Sequence, residues 1–147
     1  MKVEEQVCTL KQGIILEKLG VNVEPLFCYC RVSTSIDDSY DDLLPTQWNL
    51  QGIPELATIW QAPAFTVAEL GQMLPDEYLR HDFEKEMYFG FGRGIWKINN
   101  NDWGERSDYS SQCNFHKTEA SARASLLIFL LENKVISIET LNKKCRL

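Results

Sequence analysis

Apolar positions recur with helical spacing at the start of the chain: Val3, Val7, Leu10 and Ile14 form a stripe that Ile15 and Leu19 widen. This predicts an amphipathic N-terminal helix ended by Gly20. Past Pro25 the period shortens to two. Leu26, Cys28, Cys30 and Val32 alternate with Phe27, Tyr29, Arg31 and Ser33, the pattern of a strand buried mostly on one face. Residues 35–42, SIDDSYDD, offer little to pack and read as a solvated loop. A short strand is expected at 57–60, followed by a turn at Pro63. Thr66 and Glu69 have capping-box spacing at the start of a short helix with Val67, Leu70 and Leu74 inward, and Pro75 limits its end. Asp76 opens a second helical piece, DEYLRHDFE.

Residues 87–91 and 95–98 read as strands joined through GFGRG, where glycine permits positive φ. A polar turn at Asn99, Asn100, Asn101 and Asp102 then leads to a returning strand over 107–116, which completes a meander across about 87–116. Thr118 caps a helix over about 118–133, with Ala120, Ala124, Leu127 and Leu131 on one stripe and Leu126, Phe129 and Leu130 widening it. Ser137 caps a last short helix. The expected fold is one α+β domain: an antiparallel sheet of three to five strands packed against this C-terminal helix, with an N-terminal helix.

The chain has 147 residues, 44% of them hydrophobic, which suits a single globular domain with a real core. Charges at positions 4, 5, 11, 17 and 18 leave no room for the apolar region of a signal peptide. The longest apolar run, 126–131, is too short to cross a bilayer. Five cysteines without framework spacing read as reduced thiols, so the expected compartment is cytoplasmic, with no membrane partner.

The net charge of -6 disfavours nucleic-acid binding through a uniformly basic surface. The charge is also unevenly distributed. Residues 1–35 carry four bases and four acids, residues 36–92 two bases and eleven acids, and residues 93–147 nine bases and six acids, for net values of 0, -9 and +3. The acidic middle suggests a surface able to steer a basic partner.

Motifs with chemistry are sparse. Cys28-x-Cys30 and Cys113-x-x-His116 are the nearest approach to a zinc set, but the one-residue gap lies in an apolar strand rather than a knuckle. In a regular strand, Cys113 and His116 would also point to opposite faces. A Cys113, His116, Glu119 nucleophilic set needs a geometry that sequence proximity does not supply. His81 sits among charges as a surface residue. The aspartates from Asp37 fail the calcium-loop pattern, whose sixth and twelfth places hold Asp42 and Trp48. GFGRG lacks the Lys-Ser/Thr of a phosphate loop. No catalytic, cofactor-binding or metal residue is assigned and no cofactor is expected. The candidate interaction surface is Asp37, Asp38, Asp41, Asp42 and Trp103.

The segments APAFTVAELGQMLP and HKTEASARASLLIFLLENKVI carry a resemblance. Thr66, Leu74, Pro75, Thr118, Leu130, Leu131, Glu132 and Asn133 stand where small proteins encoded by prophages and other mobile elements of Bacteroides-type gut bacteria have a capped helix, a Leu-Pro stop and a Thr-capped helix ending in Leu-Leu-Glu-Asn-Gly, with Lys134 at the usual glycine. The likeness spans about residues 63–136 and rests on capping and core residues. That family carries no assigned activity, so the resemblance implies a mobile-element origin and transfers no catalytic residue. The expected role is a non-catalytic accessory or protein–protein interaction module with a host or phage protein as partner. The alternatives are a small enzyme, or nucleic-acid binding through Lys143, Lys144 and Arg146.

Overall fold

The computed structural model describes residues 2–31, 49–52, 60–78, 94–98, 102–107 and 112–145. The expected strand at 87–91, the loop at 35–42, the four aspartates, His81 and Arg146 lie outside the described residues. In chain order the elements are α1 (Val3–Gln6), α2 (Leu10–Lys18), β1 (Phe27–Arg31), β2 (Asn49–Gly52), β3 (Trp60–Pro63), α3 (Val67–Met73), a 3-10 turn (Asp76–Tyr78), β4 (Gly94–Lys97), β5 (Trp103–Arg106), β6 (Asn114–His116), α4 (Glu119–Glu132) and α5 (Ile138–Lys144). The α+β class, the N-terminal helical segment and a meander covered by the C-terminal helix are all present. Among the described residues the strands form two antiparallel three-stranded sheets, ordered β2-β1-β3 and β4-β5-β6.

The continuous N-terminal helix is not observed. The chain breaks at Val7–Thr9, where Val7 bridges to Thr66 and the Cys8 N–H donates to the Phe65 carbonyl. Thr9 then starts α2 with a capping box: its Oγ1 accepts from the Gln12 N–H, while Gln12 Oε1 accepts from the Thr9 N–H. Two competing partners for the backbone outweigh the apolar period. They also rotate the buried face of α2, which is Gly13 and Leu16 rather than Leu10 and Ile14. Gly13 is required there, because a Cβ would stand 2.1 Å from the Pro63 carbonyl oxygen. Helix α2 therefore lies directly on β3.

The second correction falls in the meander. After β4 the Ile98 N–H donates to the Asp102 carbonyl, closing a turn, and the chain returns at once as β5, pairing Ile95 with Glu105 and Trp96 with Gly104. Gly104 leaves space for the Trp96 indole, whose nearest ring carbon would be 2.7 Å from a Cβ at that position. A small residue beneath a large aromatic makes this register, and the period-two pattern does not show it. Of the long strand expected over 107–116, the described residues include β6, and residues 108–111 lie outside them.

The capping signals hold. Thr66, Thr118 and Ser137 each accept from a backbone N–H in the first turn of α3, α4 and α5. Glu69 completes the Thr66 box and also accepts from the Leu26 N–H at 2.8 Å, which fixes the entry to β1. Helix α4 buries Ala120, Ala122, Ala124, Leu126, Leu127, Leu130 and Leu131, whereas Phe129 turns outward. Its end is a Schellman motif, with the Val135 N–H on the Leu130 carbonyl and Lys134 at φ 56 in the left-handed place that glycine usually takes. Leu127 is fully buried in the cluster with Leu16, Phe65, Leu70, Leu74 and Ile95. Leu127→Ala is expected to lower the unfolding free energy by about 2–5 kcal/mol, read from the midpoint of a urea titration.

Candidate functional site

A polar group with several converging contacts lies between the second sheet and α4. Alternation along β5 sends Trp103 and Glu105 to one face, and pairing sets Glu105 opposite Asn114 and Trp103 opposite His116. Asn114 and His116 therefore share the face of Glu105, while Phe115 points away and is 70% exposed. Across from this face, Ser121 and Ser125 stand one turn apart on α4.

Glu105 is buried, and its Oε1 accepts from Asn114 Nδ2 at 2.8 Å and Ser125 Oγ at 2.9 Å. The third contact is His116 Nε2, at 3.4 Å. His116 Nδ1 lies 3.2 Å from Ser121 Oγ. That hydroxyl also accepts from Gln12 Nε2 at 3.1 Å, and the same amide nitrogen donates to the Ser121 carbonyl at 2.9 Å. One set of proton positions satisfies the whole chain: Gln12 donates to Ser121, Ser121 to His116 Nδ1, and His116 Nε2–H to Glu105. A carboxylate, an imidazole and a hydroxyl are thus in series, linking α2, α4, β5 and β6.

The Cys113, His116, Glu119 set is not assembled. Glu119 instead binds Arg123, whose Nη2 stands 2.6 Å from Oε1. The Cys113 thiol donates to the Asn114 carbonyl at 3.6 Å, and burial pushes its pKa up, which works against a thiolate. The partner of His116 is Glu105, a residue that sequence reasoning passed over. A signal existed in Ser121 and Ser125, which interrupt the apolar α4 at helical spacing, but only strand pairing shows what they face.

Cys28 and Cys30 belong to β1 in the first sheet, and Cys113 and His116 to the second or its edge, so the two halves of the zinc reading are held apart. Among the described residues no group of three or more His, Cys, Asp or Glu side chains is arranged to hold a metal ion. Trp103 is half-buried and packs against the main core. Lys144 donates to the Leu74 carbonyl at 3.4 Å, an anchor for α5. No helix among the described residues is long and apolar enough to cross a membrane.

Four of the surface cavities among the described residues lie elsewhere. One of them, about 570 Å³, is lined by Gln72, Asp76, Arg123, Lys144 and Cys145 among others. Arg123 there is already held by Glu119 and by the Val67 carbonyl. The other three involve neither Glu105 nor His116. No protein-family model, curated protein or solved structure matches the chain.

The Glu105 group therefore acts as a buried tie. Glu105→Ala should strand the Asn114 and Ser125 donors and cost at least about 2 kcal/mol, while Glu105→Gln, which keeps one acceptor oxygen, should cost distinctly less. Paired urea titrations of the two variants measure the difference.

Proposed function

We propose that the protein is a non-catalytic interaction module of mobile-element origin that works in the cytosol and binds a basic host or phage protein. The observation that carries this reading is the charge distribution: a net -9 over residues 36–92 in a chain whose flanking thirds carry 0 and +3. Such a segment attracts a basic surface over roughly a Debye length and raises the rate of encounter. Four of the eleven acids stand close together in the sequence as Asp37, Asp38, Asp41 and Asp42, and recognition is assigned to them. The arrangement at Glu105 supports the same reading, because its groups are occupied in joining elements to one another.

The test compares the full chain with a D37N, D38N, D41N, D42N variant, each immobilised and exposed to host lysate. The wild type should recover a basic protein that the variant recovers at least several-fold less. Recovery should also fall as ionic strength rises from about 0.05 to about 0.5 M. Equal recovery by the two proteins would remove the acidic segment from recognition.

A second reading has one specific observation in its favour: the order Glu105, His116, Ser121 is that of an acyl-transfer relay. Its weaknesses are physical. The imidazole is the longest of the three contacts on Oε1, and the Ser121 oxygen already accepts from Gln12. An activated Ser121 would be labelled by a fluorophosphonate and lose that label on His116→Ala. The interaction reading expects no labelling, as judged by intact-mass spectrometry.

A further inference from the structure

Cys28 and Cys30 stand two residues apart on β1, so their side chains leave the same face of the strand. Their Sγ atoms are 3.0 Å apart, and both residues are buried. That separation is inside ordinary sulfur–sulfur contact. Cys28 also lines a small surface cavity of about 180 Å³, together with Glu17, Val21, Asn22, Pro25 and Pro63. The pair combines a residue that borders a cavity with a second thiol in contact with its own. By contrast, Cys113 and Cys145 are more exposed, and each thiol donates to a backbone carbonyl, of Asn114 and Gln72 respectively.

We infer that Cys28 and Cys30 are a two-electron thiol–disulfide couple that exchanges with small-molecule disulfides approaching Cys28 from this side. The balance is simple. The Cys28 thiol loses its proton and attacks one sulfur of the small disulfide; that S–S bond breaks, and the departing thiolate takes up a proton. Cys30 then loses its proton and attacks the Cys28 sulfur, expelling the second small thiol. The protein gives up two electrons and two protons, and the small disulfide becomes two thiols.

The local environment sets the character of the couple. Burial, and then the hydrogen bond with Cys30, push the Cys28 thiol up to about 12, so little of it is thiolate and exchange is slow, on the order of hours. Closing the bond also strains the strand. Residues two apart in an extended strand have Cα atoms roughly 6.6 Å apart, at the upper edge of disulfide geometry, and their Cβ vectors are parallel. Oxidation must pucker β1, disturbing the pairing of Cys28 with Gln51 and Pro63 and of Cys30 with Asn49 and Gln61. The couple should therefore be easily reduced.

The test uses the reduced full chain under native conditions with excess glutathione disulfide, followed by acid quench, alkylation and tryptic mapping. Peptide 19–31 contains Cys28 and Cys30 and no other cysteine. It should appear unalkylated and lighter by two hydrogens, and return to the doubly alkylated form after dithiothreitol. In Cys30→Ser a glutathione adduct should persist on Cys28. Amide exchange across β1 should quicken in the oxidised wild type. The inference fails if the wild-type peptide stays doubly alkylated, if it holds a stable glutathione adduct, or if Cys28 is recovered linked to Cys8. The wild-type map decides the matter even where the serine variant does not fold.

Discussion

The structure depends on burying one helix. Helix α4 packs against α2, α3 and the strands of the second sheet, and its Leu126, Leu127 and Leu130 are completely removed from water. Each such leucine contributes about 1.5–3 kcal/mol, a large share of the few kcal/mol that separate folded from unfolded chains. Alanines at 120, 122 and 124 keep the first half of the helix slim, so β5 and α3 both come close. That proximity is also what requires Glu105 to find donors, because a carboxylate at this depth is tolerable only when hydrogen-bonded.

The polar tie and the apolar packing answer different questions. Leucines favour burial of α4 but are nearly indifferent to a slip along the sheet. The contacts from Ser125, Asn114 and His116 to Glu105 exist in only one alignment of α4 on β5 and β6. Gln12 extends the same constraint to α2 through Ser121. The arrangement resembles a catalytic relay because both need a carboxylate, an imidazole and a hydroxyl held in line. Here the carboxylate's two shortest bonds come from groups with no part in proton transfer.

What was legible in the sequence was whatever local chemistry decides. Thr66 with Glu69, Thr118 and Ser137 announce helix starts because their side chains satisfy amides within three residues. The stripe of α4 and the alternation of β1 follow from burial on one side. The break at Val7–Thr9 was not legible, since it depends on a bridge to Thr66, far along the chain. Strand β5 was hidden because Trp103-Gly-Glu-Arg has the wrong polarity for an ordinary strand. Gly104 makes sense only beneath Trp96, and Glu105 only opposite Asn114 and Ser125. The Glu105 group is thus a product of tertiary pairing, and residue spacing alone pointed to Glu119 instead.

The close seating of α2 on β3 has one more implication. Among the described residues, the first sheet is tied to the rest of the structure by this helix, where Gly13 backs onto the Pro63 carbonyl, by the Leu26 N–H on Glu69 and by the Tyr29 hydroxyl on the Cys8 carbonyl. Cys28 and Cys30 lie outside the main apolar cluster. In the language of cooperative units, a side chain added at position 13 would part α2 from β3 and so loosen the join between β1, β3 and the elements around α4.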